Sequence, residues 1–324
     1  MKETTTTGRV RRWSGAIICS LPLALLLAGC CVLTDAQVNA VSHFAQATKG
    51  FSTAPVAVME AHAMLRDERG IFTAATMTTS EGALAALTNG MLQADRLRQK
   101  AAEATAALSI LDAYSDLLNT LASEKFTDDL QNQSVALGTA IDQNVAAFNK
   151  VKGTGDSVQP FGDLVAGMVR GGGGILIRHM QQKALYQAVT NAEGAVVQAT
   201  RSVEALMADY LPPLDPQNPT DNLITQESEE IKKKFSKMHL AVNTGGDLQT
   251  LDRIHRVLRS SERGLALARS CAAAAAAYRE AHTKLVQALK SGQDPTSLIE
   301  EIKALAQQVK AAKEVRDELK KKDA

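Results

Sequence analysis

The residue with the clearest chemistry in this chain is Cys30, the last of the run Leu27-Ala28-Gly29-Cys30. Small side chains at Ala28 and Gly29 let the backbone lie extended in a peptidase cleft, and a thiol beside the cut is a point of attachment for diacylglycerol. The segment before it has the order of parts of an export signal. Lys2, Arg9, Arg11 and Arg12 outweigh Glu3 and hold the N-terminus on the cytoplasmic side. An apolar core runs from Ala16 to Leu27, shorter than the ~20 residues of a spanning helix. Pro22 disfavours a permanent helix there. The segment therefore reads as cleaved after Gly29, not as an uncleaved anchor. Arg11-Arg12 suits a twin-arginine route, but Ser14 and Gly15 stand where that signal wants bulky apolar residues, which favours ordinary secretion.

Other clusters that invite chemistry read as structure. Gly171-Gly172-Gly173-Gly174, flanked by Arg170 and Arg178, offers the backbone amides of a phosphate cradle. Ile175 and Leu176 follow, however, where a P-loop needs Lys and Ser/Thr, so the run reads as a hinge or helix break. Asp163 and Arg170 argue against a membrane hairpin built on its apolar flanks. The histidines are His43, His62, His179, His239, His255 and His282. No two stand at i,i+4 and no HExxH occurs, so no metal site is expected. Glu60 and His62 fall on different helix faces. There is no G-x-S-x-G elbow, and the neighbours Asp128-Asp129 and Glu229-Glu230 diverge around their helices. No catalytic, cofactor-binding or metal residue is assigned, no cofactor is expected, and the chain is not read as an enzyme. The Lys320-Lys321-Lys322 end suits a solvated helix C-terminus.

Composition narrows the partners. Without residues 1–29, 32 Lys and Arg face 34 Asp and Glu, so there is no basic excess to attract nucleic acid. The only tryptophan, Trp13, lies in the signal. Few aromatics and many alanines favour helices in close approach over a core of large rings. Of the cysteines, Cys31 and Cys271 remain beside Cys30 in the mature chain. The periplasm is oxidising enough to bridge them, but Cys31 would lie at a membrane surface. Cys271 opens an alanine run and reads as a small buried apolar residue.

Almost every ordered stretch has helical period. Residues 34–76 predict two helices or one kinked at Gly50 and Pro55. From Ser80 and Glu81 a stripe Leu84, Leu87, Met91, Ala94, Leu97, Ala101, Leu108, Leu111, Tyr114, Leu118, Leu121 predicts a helix over 81–123, roughly 65 Å long at ~1.5 Å per residue. Residues 128–151 predict a return helix, and 161–211 resume after Gly153, Gly155 and Pro160. The proline-rich run 211–219 is the strongest internal boundary. Beyond it, Glu229 and Glu230 stand four residues before Lys233 and Lys234, supporting a helix by pairing. Gly245-Gly246 predicts a turn, Gly292 a stop, and Asp294, Pro295 and Ser297 with Glu300 the start of a last helix. The expected fold is all-α: an elongated antiparallel bundle of long Ala/Leu-rich helices behind the signal. Its parts are the signal 1–29, an N-terminal helical region 30–211, a Pro-rich break 212–219, and a C-terminal helical hairpin region 220–324 packed on the first. Leu111-Asp112-Ala113-Tyr114 and Ala276-Ala277-Tyr278-Arg279 look loosely alike and hint at duplicated hairpins.

Leu27-Ala28-Gly29-Cys30 resembles the lipobox of bacterial lipoproteins processed by signal peptidase II. The resemblance implies that Cys30 becomes the acylated first residue of the mature chain and carries palmitate-type chains. Cys31 stands where an aspartate would imply inner-membrane retention, which points to the outer membrane facing the periplasm. The lipobox with the LDAY and AYREAH helices also looks like a set of all-helical Gram-negative lipoproteins, which brings no activity with it. The expectation is a lipid-anchored scaffold or adaptor of the cell envelope. It would act through an envelope protein partner or self-association, with coiled-coil-like helix contacts. The alternative is a carrier of a hydrophobic ligand, which requires an apolar cavity of a few hundred Å3, about the usual pocket scale.

Overall fold

Residues 33–123, 128–152, 157–170, 177–211, 222–242, 248–292, 295 and 298–321 are described by the computed structural model. The signal and lipobox (Leu27, Ala28, Gly29, Cys30), Cys31, Gly171 to Gly174, the run 212–219, Gly245-Gly246, Asp294 and Ser297 lie outside the described residues.

Local chemistry sets where each helix starts. Thr34 and Gln37 form a reciprocal capping box, each side chain bonding the other's backbone N–H at 3.2 and 3.0 Å, and α1 (Asp35–Thr48) follows. Gly50, at φ +73°, turns the chain where a side chain would be strained. Helix α2 (Thr53–Ala74) tolerates Pro55 because it falls in the first turn, where the missing N–H has no partner to lose. Thr79 caps α3 (Ser80–Leu121) through the N–H of Gly82 at 3.2 Å. Helix α4 is Asp128–Lys152. Its Asp142 carboxylate accepts the N–H groups of Gly162 and Asp163 at 2.7 and 2.8 Å, capping α5 (Gly162–Arg170) from the neighbouring helix. Asn222 caps the helix Leu223–Val242 (α8) by accepting from the N–H of Thr225 at 2.8 Å.

The rest of the chain forms α6 (Ile177–Asn191), α7 (Glu193–Ala208), α8 (Leu223–Val242), α9 (Leu248–Ser291) and α10 (Leu298–Lys321). The described residues are all-α, as the periodicity predicts. The two 34–76 helices, the long α3 and the return helix α4 appear within a few residues of their expected bounds. A break at Ala192, between α6 and α7, falls two residues before Gly194 and is not expected from the periodicity. Leu33 to Ala324 forms one compact unit.

Side-chain pairs fix how the long helices run. Phe51, ahead of α2, stacks near Tyr278 of α9, while Glu68 further along α2 meets Arg253, so α2 and α9 are antiparallel. Gly70 and Gly90 set α2 against α3: a Cβ on either would fall within 2.9 Å of the other's Cα, so only glycines permit this approach. Ser115 of α3 lies 2.7 Å from Thr48 of α1, and the Gln37 amide of α1 reaches the Ala288 carbonyl of α9. The bundle thus has a near end, where α1 enters, and a far end holding residues 66–100, 229–242 and 248–258. Between Leu248 and Ala288, the forty-residue run of α9 extends about 60 Å at ~1.5 Å per residue.

The core is densest at the near end. Phe44, Phe51, Leu111, Tyr114, Leu117, Leu118, Cys271, Tyr278 and Leu285 are all buried to 1% exposure or less. Alanines at 268, 274 and 275 are fully buried on α9 and keep its neighbours close.

Candidate functional site

Two buried polar clusters, a small pocket and an exposed apolar face are the features with functional content. At the near end, the Tyr114 hydroxyl lies 2.9 Å from His282 Nε2, and both side chains are enclosed by Phe44 and Phe161. Thr48, Ser115 and Tyr278 continue the network at 2.7 and 3.5 Å. The two look-alike segments of the sequence therefore meet, with Tyr114 and Tyr278 side by side in the core. Burial, then the neighbouring Tyr278, raises the Tyr114 phenol well above its ordinary value. These side chains are all buried, at 1% exposure or less, and tie α1, α3 and α9 together at the near end.

Burial lowers His282 to about 3. The folded protein then binds fewer protons than the unfolded chain between its folded value and ~6.5, so stability rises with pH across that window. The contribution is complete above pH ~6.5 and is lost as pH falls; by pH 5 the loss is about 2 kcal/mol at ~1.4 kcal/mol per unit. Urea unfolding at pH 7 and pH 5 checks this. The wild-type difference should exceed that of His282→Gln by about 2 kcal/mol, and equal differences would contradict it.

Several residues weighed in the sequence find plain roles. Cys271 is buried and unbridged, and burial pushes its thiol up to about 12, which leaves it inert as a nucleophile. Glu229 and Glu230 pair with Lys232 and Lys233 at 2.7 and 2.8 Å, three residues on. The expected four-residue partners attract through space, Lys233 with Glu229 and Lys234 with Glu230, while the direct ion pairs form three residues on. Glu60 is exposed and His62 buried, on different faces as predicted. Among the described residues no group of His, Cys, Asp and Glu converges as a metal site, and no helix is long and apolar enough to cross a membrane.

Toward the far end, Glu227 of α8 is buried at 2% exposure, an unusual place for a carboxylate. Three α2 side chains surround it. Arg66 donates at 2.7 Å, Arg69 lies at 3.4 Å, and His62 Nε2 is 3.9 Å away, with Tyr210 on the other ring nitrogen at 3.4 Å. Burial alone would raise the Glu227 carboxyl, but His62, Arg66 and Arg69 together hold it below its ordinary value. Sequence reading missed this cluster, since Glu227 sits in an acidic run that looks solvated. The available signal was His62, Arg66, Arg69 and Thr73 recurring at helical spacing along one face of α2.

Beside this cluster, α2 and α3 leave a pocket of about 130 Å3 lined by Arg66, Arg69, Thr73, Asn89 and Gln93, with Gly70 and Gly90 at its floor. It is polar and small, unlike the apolar cavity a hydrophobic-ligand carrier requires.

The outer face of α3 supplies the last feature. Periodicity places Leu84 and Met91 in the buried stripe, yet they are 65% and 59% exposed, with Leu92 beside them at 51%. Between residues 80 and 100 of α3 only Gly90 and Ala94 are buried. The cause is length. Helix α4 has 25 residues, about 38 Å, and returns from the C-terminal end of α3, so it covers only the second half. Met77, Leu248 and Leu251 are also exposed at the far end. Comparison with protein-family models, curated proteins and solved structures yields no match to this chain.

Proposed function

We propose that the protein is a lipid-anchored scaffold or adaptor of the bacterial cell envelope, acting by protein–protein contact. In this reading Cys30 is acylated and tethers the chain to the outer membrane, facing the periplasm. Three peptide links separate Cys30 from Leu33, a reach of at most about 11 Å. Contacts made by α1 hold the chain's entry near Ala288. The far end then stands some 60 Å along α9 from that entry, at ~1.5 Å per residue.

The observation that carries the proposal is the apolar outer face of α3, with Leu84, Met91 and Leu92 each more than half exposed. Contiguous apolar surface of this kind usually marks a contact site, and a helix face suits packing against a partner helix or a second copy. The test is mass spectrometry of complexes captured with the full chain from membranes, comparing wild type with Leu84→Lys/Met91→Lys. The wild type should hold an envelope partner or a second copy, and the double variant should lose it while keeping its unfolding free energy within about 0.5 kcal/mol. A wild-type chain that stays alone and monomeric would contradict the reading.

A further inference from the structure

We propose that the pocket between α2 and α3 is a carboxylate-binding site, an inference independent of what the apolar face of α3 contacts. The argument starts from charge. Arg66 and Arg69 bring two positive charges to this edge of the bundle, and the lining contains no acidic residue. Glu227, behind the pocket, neutralises one of them. One positive charge remains, which a carboxylate matches and a phosphate dianion exceeds.

Geometry says which donors face the ligand. Arg66 is committed, with one terminal nitrogen on Glu227 at 2.7 Å and the other on the Gln93 carbonyl oxygen at 2.8 Å. The Gln93 amide donates to Asn89 Oδ1 at 2.9 Å. This relay consumes the acceptors of both side-chain amides and leaves the Asn89 NH2 as its outer end. Arg69 touches Glu227 through one nitrogen only, at 3.4 and 3.5 Å, well short of the bidentate fork a guanidinium can make. The guanidinium of Arg69, the amide of Asn89 and the hydroxyl of Thr73 are thus donors around a space whose lining carries no carboxylate.

Size agrees. At about 130 Å3 the pocket is near the ~150 Å3 of a cavity that admits benzene, so an acetate-like group fits it. Gly70 and Gly90 let the two backbones meet beside it, where a Cβ on either would fall within 2.9 Å of the other's Cα. The ligand class is a carboxylate, whether from a free small acid or from the side chain of an acidic residue on a partner.

Titration of the full-length protein with sodium acetate, with N-acetyl-glutamate amide and with inorganic phosphate, each against sodium chloride at equal ionic strength, tests this by thermal unfolding. Both carboxylates should raise the midpoint saturably above the chloride control. Asn89→Asp places a carboxylate on the rim without touching Glu227, and it should raise the half-saturating acetate concentration at least tenfold. Arg69→Gln should do the same. Preference for the glutamate probe over acetate assigns the site to a protein side chain, and the reverse assigns it to a free acid. Acetate curves that superimpose on chloride, phosphate binding in place of acetate, or an unchanged Asn89→Asp curve would each overturn the proposal.

Discussion

Truncating Tyr278 to Ala is expected to lower the unfolding free energy by about 4 kcal/mol, within the ~3–5 kcal/mol typical of removing a buried aromatic ring. The ring is fully buried, meets Phe44 edge-on with centroids 5.3 Å apart and lies 6.0 Å from Phe51. Its loss would leave a cavity where α1, the start of α2 and α9 converge. Tyr278→Phe separates packing from hydrogen bonding. The hydroxyl is a long 3.5 Å from Ser115, which keeps its bonds to Thr48 and the Leu111 carbonyl, so this change should cost about 1 kcal/mol or less. Urea unfolding of both variants decides the matter. A Phe variant as unstable as the Ala variant would mean that the polar network, not the ring, closes the near end.

Glu227→Ala should cost about 3 kcal/mol, because it leaves the Arg66 and Arg69 guanidiniums facing each other over a lost counter-charge. The value sits at the lower end of the ~3–5 kcal/mol range for broken buried pairs, since the Arg66 side chain is 26% exposed and water screens part of the penalty. Glu227→Gln keeps an acceptor for Arg66 and should cost about half as much. Adding Arg66→Gln to Glu227→Ala should recover about 1 kcal/mol or more, as expected for coupled neighbours. Strict additivity of the two single changes would contradict an ion-paired cluster. The carboxyl is held below its ordinary value, so its contribution is full above about pH 4.3 and is lost as pH falls further.

Legibility of the fold followed the range of the forces. Stops are written locally: Gly50 and Gly292 each act within a turn of the residue itself, and sequence shows them. The burial of Cys271 and Tyr114 follows from helical period and neighbouring alanines. Period alone failed for Leu84 and Met91, whose exposure depends on where α4 ends, a property of tertiary length and not of α3. The Glu227 cluster joins residues 158 apart in sequence, between Arg69 and Glu227, so no window over one helix contains it. The apolar outer face and the polar pocket share this origin, since both depend on which neighbours α3 lacks.

The proposed lipid tether and the proposed contact face of α3 make one account, in which the bundle would work by contact at a membrane. Its most direct test is the mass of the N-terminal peptide of the protein purified from its native membranes, read together with incorporation of labelled palmitate. The account predicts a chain that begins at an acylated Cys30 and loses both label and membrane association in Cys30→Ser. A chain that retains Met1, carries no palmitate and stays in the soluble fraction would contradict it.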